Sequence, residues 1–164
     1  MQPAIEPSEL RAERARTKPA DAAKWAQWNR PVEIRALAAM FADPEGRHVG
    51  GPFEDVEPSM FHNADTKTAI NLLRNLDASG TPATLEALAE RWKRENSGNF
   101  YDRGERLIAA IKGCEPERTL RGQAALATEL QAAQRDLLQI MGEAEIAERD
   151  DLTPQGYDRA RLLR

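Results

Sequence analysis

Residues 65–92 read DTKTAINLLRNLDASGTPATLEALAERW, and this stretch decides the predicted fold. In its first half, apolar residues recur three and four positions apart, as the buried face of a helix requires; they are Ala69, Leu72, Leu73 and Leu76. Gly80 predicts the end of that helix, because glycine is the usual residue just past a helix C-terminus. Thr81 and Pro82 then supply a cap and a first-turn proline for a second helix. The apolar face of that second helix comprises Leu85, Leu88, Ala89 and Trp92.

The composition of the chain also favours helices over a sheet. Aromatic residues make up 5% of the 164 residues, and Val and Ile are scarce, whereas strands are enriched in aromatic and β-branched residues. A chain of this length buries roughly 70% of its unfolded surface, so its core needs neither a metal nor disulfides. We therefore expect an all-α fold, in which a compact helical bundle is followed by a long C-terminal helical hairpin.

Three segments are expected along the chain. Residues 1–20 alternate prolines with charges and predict a flexible N-terminal arm. Residues 21–113 carry the helical periodicity of the bundle, with a helix stop before Pro44 and a loop over residues 46–52. Residues 114–164 predict the helical hairpin arm and a short terminal helix.

The C-terminal segment has a different apolar pattern from the bundle. From residue 126 to residue 144 the apolar residues alternate steps of four and three, which is the seam of a helix that packs lengthwise against another helix. The preceding helix, residues 100–111, is about 18 Å long, whereas the seam is about 27 Å long. The seam can be covered by its own chain, by a second copy or by a partner protein. Because an exposed apolar stripe usually marks an interface, we expect the uncovered part to pair with a second copy and give a homodimer. The predicted partner-binding residues are Leu126, Leu130, Leu137 and Ile140.

Motifs for catalysis, cofactors and metals are weak in this sequence. The glycines of residues 46–52 lack the lysine that completes a phosphate-binding loop. His48 and His62 are the only histidines and Cys114 is the only cysteine, so metal ligands are few. Paired carboxylates are typical of solvated helix faces in an acidic helical protein. We therefore expect a protein that is not an enzyme, with no catalytic residues, no cofactor and no metal.

Net charge and hydropathy restrict the partners and the location of the protein. A formal net charge of −4 argues against non-specific nucleic-acid binding over the whole surface. No apolar run reaches the roughly 20 residues of a transmembrane helix, and the first residues lack the pattern of a signal peptide. We expect a cytoplasmic protein with no membrane partner and with weak nucleic-acid binding or none.

A local basic cluster leaves a DNA-binding alternative open. Residues 84–112 contain two predicted helices joined by a polar turn at residues 96–99, which is compatible with a helix-turn-helix motif. Against this alternative, the second helix contains Gly104 and many apolar residues that the core needs. The candidate nucleic-acid contacts near the turn are Arg91, Lys93, Arg94, Arg103 and Arg106.

Residues 33–94 resemble the N-terminal domain of DnaB-type replicative helicases. The run EIRALAAMFADPE at residues 33–45 looks like the first core helix of that domain, and Phe61 matches the aromatic residue that opens its next major helix. The most specific part is LDASGTP at residues 76–82, followed by LAE at residues 88–90. The sequence departs from the family in three ways. The family's aromatic-x-x-x-His pattern is absent after Phe61, the loop at residues 46–52 is slightly longer than is typical, and no Walker motif of the ATPase domain follows.

The resemblance implies a non-catalytic protein–protein interaction module of DNA replication. In the family, this domain is a helical bundle followed by a hairpin that pairs with neighbouring subunits, and it docks primase or a loading factor. The expected partners are therefore a replicative helicase, a primase or a loader. The chain would be either a helicase N-terminal domain or a free-standing protein of phage or plasmid type. A small DNA-binding regulator and a generic helical adaptor or inhibitor are the alternatives.

Overall fold

In the computed structural model, the backbone is described for residues 25–152 and the side chains for residues 25–143. From residue 30 onward the α-helices are, in chain order, α1 (Arg30–Ala42), α2 (Pro44–Arg47), α3 (Ala64–Ala78), α4 (Leu85–Asn99), α5 (Glu105–Lys112) and α6 (Leu120–Leu152). A π-helical segment, Phe100–Gly104, joins α4 to α5, and 3₁₀ turns lie at Gln27–Asn29 and Pro58–Met60. No strand occurs between residues 25 and 152, and the predicted all-α class is confirmed.

The Asp43-Pro44 pair sets the boundary between α1 and α2. Asp43 is extended, with φ −133° and ψ 94°, because proline disfavours the helical conformation in the residue before it. The Asp43 carboxylate accepts a hydrogen bond from the Glu45 amide at 3.1 Å and thereby caps α2. The predicted helix stop is confirmed. The predicted loop at residues 46–52 is wrong at its start, since its first two residues lie in α2 and are buried.

Helix α3 ends at a glycine, as the sequence predicts. Gly80 has φ +73°, a left-handed conformation that glycine adopts without steric cost. The amides of Gly80 and of the next residue donate back into the last turn of α3, which is the Schellman arrangement. The cap of α4 differs from the prediction, because Thr84 rather than Thr81 accepts the Ala87 amide, at 3.0 Å.

Asn96 interrupts the helical path between α4 and α5. Its backbone is non-helical, with φ −156° and ψ 85°. Its side-chain oxygen accepts the Asn99 amide at 3.1 Å, so Asn96 caps the helical turns that follow. The polar turn predicted at residues 96–99 is therefore a single-residue break, after which the chain continues through the π-helical segment into α5.

Helix α1 lies at the centre of the bundle. It contacts α3, α5 and α6, and buried residues occur on several sides of it; they are Val32, Glu33, Ala36, Leu37, Ala38, Ala39 and Met40. A helix that is apolar on most sides is typical of a position inside a protein. The largest buried side chains around it include Phe53, Phe61, Leu73, Leu88 and Trp92.

The seam of α6 packs against its own chain. Leu126, Leu130, Leu137 and Ile140 are each 1% exposed. The first two belong to the main core that α1 shares with α6, and Leu137 packs against Trp25 with Trp28 beside it. The expectation of an uncovered seam is therefore wrong, because α1 and the 3₁₀ turns at Gln27–Asn29 and Pro58–Met60 pack against α6. In this structure the seam residues leave no exposed apolar stripe for a second copy.

The C-terminal segment is a single long helix over the residues that the structure describes. Helix α6 has 33 residues and is about 50 Å long. The second arm of the predicted hairpin is not found between residues 120 and 152, where α6 runs without interruption. The predicted arm at residues 1–20 and the predicted terminal helix after residue 152 lie outside the described residues.

Gly104→Ala is expected to lower the free energy of unfolding by about 1–3 kcal/mol, the usual cost of overpacking. A Cβ at this position would lie 2.9 Å from Trp92 Cε2 and 3.0 Å from Phe100 Cδ2. Gly98→Ala is the matched control, because a Cβ there meets only an Asn96 side-chain oxygen at 3.8 Å. Helix propensity should raise the stability of this control by up to about 1 kcal/mol. Urea denaturation measures both changes, and equal stabilities would contradict the close packing of Gly104 on Trp92.

Candidate functional site along helix α1

An open cleft with several arginines lies beside the first half of α1. It encloses about 1120 Å³, which is more than the roughly 300–1,000 Å³ of pockets that enclose small molecules. We call it the basic cleft; its lining residues are Gln27, Arg30, Pro31, Ile34, Arg35, His62, Asn63, Ala64, Asp65, Asp102, Arg103, Arg106 and Cys114. Helix α1, the start of α3 and the π-helical segment with α5 therefore form its walls.

A second open cleft lies beside the other end of α1 and encloses about 800 Å³. We call it the apolar cleft; its lining residues are Ala38, Phe41, Ala42, Pro44, Arg47, His48, Asp77, Gly80, Thr81, Pro82, Ala83, Thr84, Leu85, Glu86, Ile111, Lys112, Cys114 and Pro116. Cys114 lines both clefts, so they adjoin along α1. The 13 residues of α1 measure about 20 Å, which is the scale of a bound polypeptide segment.

Most arginines of the basic cleft have a carboxylate partner. Arg30 donates two hydrogen bonds to Asp65, both at 2.7 Å, and the bond to Asp65 raises the pKa of the Arg30 guanidinium above its ordinary value. Arg35 contacts Glu129 at 3.0 Å, and Arg103 contacts Asp102 at 3.5 Å. Arg106 has no carboxylate within salt-bridge distance among residues 25–143. The lining holds four arginines and two aspartates, so it carries a positive balance in an acidic protein.

The five basic residues predicted from the sequence do not form one patch. Arg103 and Arg106 line the basic cleft together. The Lys93 ammonium instead lies over two aromatic rings, 4.9 Å from the centroid of Phe100 and 5.9 Å from that of Tyr101, where a cation–π attraction holds it. Arg91 and Arg94 on α4 line neither cleft. The helix-turn-helix alternative stays a prediction, and the acidic residues Asp102 and Glu105 directly precede Arg103 and Arg106 in the sequence.

Sequence reasoning missed the two arginines that α1 brings to the basic cleft. Arg30 and Arg35 are separated by about 70 residues from Arg103 and Arg106 along the chain. They meet because α1 packs against α5. The only signal in the sequence was that one predicted helix carries both arginines. That signal does not indicate which other helix packs against it and completes the cleft.

A buried ion pair supports the apolar cleft. The Arg47 guanidinium, 3% exposed, donates to Asp77 at 2.7 and 2.8 Å and to the Met40 carbonyl at 2.6 Å. These bonds hold the pKa of the Asp77 carboxyl below its ordinary value. The neighbouring Arg74 donates to the carbonyls of Arg47, Phe53 and Val56, and its burial lowers the pKa of its guanidinium. The two arginines therefore fix the connection between α2 and α3.

A buried carboxylate ties the start of α3 to α1. Glu33 is fully buried and accepts hydrogen bonds from the His62 amide at 2.9 Å, from Asn63 Nδ2 at 3.0 Å and from the Thr66 hydroxyl. All three donors lie at the N-terminal end of α3 or just before it. Because these bonds engage both oxygens, Glu33 acts as a structural link between the two helices.

The imidazole of His62 is half-buried beside this carboxylate. Its Nε2 atom has no hydrogen-bond partner among the described residues. Desolvation lowers the pKa of the imidazole, and the nearby Glu33 opposes this effect only in part. His62 is therefore neutral near pH 7, which follows from the general preference of buried bases for the uncharged form.

No group of three or more His, Cys, Asp or Glu side chains within residues 25–143 is arranged to hold a metal ion. Cys114 is partly buried, and its sulfur lies 3.9 Å from the Glu115 carbonyl. None of the described helices combines the length and the apolar character that crossing a bilayer requires. What the clefts offer is a surface of apolar and arginine side chains, which are frequent in protein–protein contacts.

Comparisons with known proteins were made at the level of family, sequence and structure. No protein-family model, curated protein or solved structure matches the chain. The residues that carry the helicase resemblance have structural roles here: Glu33 links α1 to α3, Phe61 is fully buried and Gly80 ends α3. The positions on which the predicted resemblance rests are therefore packing and turn positions of the bundle.

Arg47→Met is expected to lower the free energy of unfolding by about 3–5 kcal/mol, because it leaves the partly buried Asp77 without its cation. Arg35→Met is the matched control. It breaks the Arg35–Glu129 pair, in which the side chains are 45% and 52% exposed, and exposed pairs contribute about 0–1 kcal/mol. Chemical denaturation at neutral pH measures both losses. Similar losses for the two variants would contradict the supporting role of Arg47.

Stability is expected to fall as the pH is lowered from neutral through about 6.5, the ordinary pKa of histidine. The folded-state pKa of His62 lies below that value, so the unfolded chain binds more protons in this range and is favoured as the pH falls. His62→Gln should flatten this dependence, measured as the denaturant midpoint at several pH values. An unaltered slope in His62→Gln would contradict the prediction.

Proposed function

We propose that the protein is a non-catalytic module that binds protein partners in DNA replication, like the helicase N-terminal domain it resembles. The observation that carries the proposal is the pair of adjoining clefts along α1. Together they offer an open surface about as long as a four-turn helix. Recognition of a helix in a groove is a common mode of protein–protein binding. The apolar cleft provides the contacts that such a helix buries.

The polar groups beside the clefts favour binding over catalysis. A general acid or base must present an accessible proton or lone pair to a substrate. Glu33 is fully buried and fully engaged, Asp65 is held by Arg30, and Asp77 is held by Arg47. These carboxylates fix the walls of the clefts. A rigid surface is what a docking site needs, because little ordering free energy is then lost on binding.

The link to replication rests on the resemblance over residues 33–94. By that resemblance, the partners are a replicative helicase, a primase or a helicase loader. The corresponding cellular location is the cytoplasm. The same docking surface is compatible with two origins of this chain. It would suit a helicase N-terminal domain, and it would suit a phage or plasmid protein that binds the replication machinery of its host.

A second candidate function is a small DNA-binding regulator. The observation in its favour is that Arg103 and Arg106 lie together in the basic cleft with two further arginines. Two observations oppose it. Asp65 and Asp102 line the same cleft, and the net charge of the chain is −4. Both reduce the attraction for a phosphate backbone, which dominates nucleic-acid affinity.

The apolar cleft can be tested directly with Ala42→Arg. Ala42 is exposed at the last turn of α1 and lines the apolar cleft, so an arginine there obstructs the cleft without entering the core. The purified protein is titrated with the replicative helicase, the primase and the loader of its source organism. We expect one of the three to bind, and Ala42→Arg to weaken that binding at least about tenfold, or about 1.4 kcal/mol.

Ala124→Arg is the matched control, since Ala124 is exposed on α6 and lines neither cleft. It should bind like the unchanged protein. If none of the three proteins binds, the replication role is wrong. If one binds and Ala42→Arg has no effect, binding does not use the apolar cleft. Tight, sequence-dependent binding to duplex DNA that is lost in Arg103→Ala would favour the regulator.

A further inference from the structure

The basic cleft is lined by more arginines than aspartates, in a chain whose net charge is −4. Its four arginines are Arg30, Arg35, Arg103 and Arg106, and the apolar side chains of Pro31 and Ile34 lie among them. Arg30 and Arg35 are held by Asp65 and Glu129. Arg103 and Arg106 are therefore the arginines that can present their planar fork of donors to a further carboxylate in two-point contacts. The chemistry of the cleft therefore suits a polypeptide segment with carboxylates and some apolar residues.

The chain itself contains a segment with that chemistry. Residues 143–151 carry five acidic residues and one arginine; the acidic residues are Glu143, Glu145, Glu148, Asp150 and Asp151. This segment alone accounts for the net charge of −4 of the whole chain. Ile146 and the following Leu152 supply apolar side chains. The backbone of this segment belongs to α6.

Helix α6 is much longer than α1. Helix α1 has 13 residues and α6 has 33, which correspond to about 20 Å and about 50 Å. Among the described side chains, the last fully buried residue of α6 is Ile140. The helix continues for twelve residues to Leu152.

We propose that the basic cleft binds the acidic end of α6, residues 143–151, from a second copy of this chain. The inference rests on the proposed function of a partner-binding module and names one of its partners. The proposal assigns self-association to charged surfaces and not to the seam of α6. The seam residues are buried within one chain; they are Leu126, Leu130, Leu137 and Ile140. An acidic helix is the proposed occupant because Arg103 and Arg106 can hold its carboxylates in two-point contacts and Pro31 and Ile34 can contact its apolar side chains.

The test measures self-association of the full chain by sedimentation equilibrium at about 0.1 M and about 1 M NaCl. Between these concentrations the Debye length falls from about 10 Å to about 3 Å. We expect dimers at low salt and at least about tenfold weaker association at high salt. The double variant Arg103→Glu/Arg106→Glu should be a folded monomer at low salt, and so should Glu148→Arg/Asp151→Arg. Circular dichroism verifies that each variant is folded.

Mixing the two charge-reversed variants gives the decisive measurement. If the cleft and the acidic end bind each other, the mixture should form heterodimers, because the reversed charges are again complementary. The matched control is Arg91→Glu/Arg94→Glu on α4, outside the cleft, and it should dimerise like the unchanged chain. A chain that is monomeric at low salt, a mixture that stays monomeric, or a control that also loses dimers would overturn the proposal.

Two further outcomes identify other occupants. If replacing the basic residues of the segment 11–18 by glutamine abolishes dimers and reversal of Arg103 and Arg106 does not, that segment and not the cleft binds the acidic end. If reversal of Arg103 and Arg106 abolishes duplex-DNA binding and leaves dimers intact, the cleft binds nucleic acid. Either result refutes the inference. The Ala42→Arg titration uses none of these variants. A failure of self-association therefore does not decide whether the proposed function is correct, because the titration tests that separately.

Discussion

The guanidinium of Arg47 makes contacts with two helices besides its own, and much of the structure depends on them. It donates to the Met40 carbonyl in α1 and to the Asp77 carboxylate in α3, while its own backbone belongs to α2. Burying these charges has a desolvation cost that their attraction only partly offsets. What the pair contributes is a fixed arrangement of the three helices. Because Arg47 and Asp77 also line the apolar cleft, the same bonds define the shape of the proposed docking surface.

Local signals in the sequence predicted the local structure well, as Gly80 and the Asp43-Pro44 pair show. Each signal depends on the backbone preferences of one or two residues. These preferences act whatever the residues farther along the chain do. The buried charges were missed for the opposite reason. Arg47 and Glu33 look like solvent-exposed residues in a sequence, and only their partners at Asp77 and Thr66, some 30 residues away, make their burial favourable. A charged residue is almost never fully buried unless it is paired. Partners that lie about 30 residues apart in the chain leave no periodic pattern in the sequence by which the pair could be recognised.

The prediction for the α6 seam failed through the same lack of long-range information. The apolar spacing from Leu126 to Ile140 correctly indicated a buried face, but the covering element was assigned to the nearest helix in sequence. The structure uses α1, whose alanines allow close approach and whose apolar residues occur on several sides. The candidate site shows the same pattern. Arg103 and Arg106 were identified from their own helix, whereas Arg30 and Arg35 enter the cleft only through the packing of α1 on α5.

Burial of the seam changes the kind of force that is available for self-association. A seam shared between two chains would bury apolar side chains, which is strongly favourable and insensitive to salt. Charged surfaces behave differently, because exposed ion pairs contribute little each and are screened by salt, while they increase the rate of encounter and select the partner. An assembly held by the basic cleft would form and separate readily.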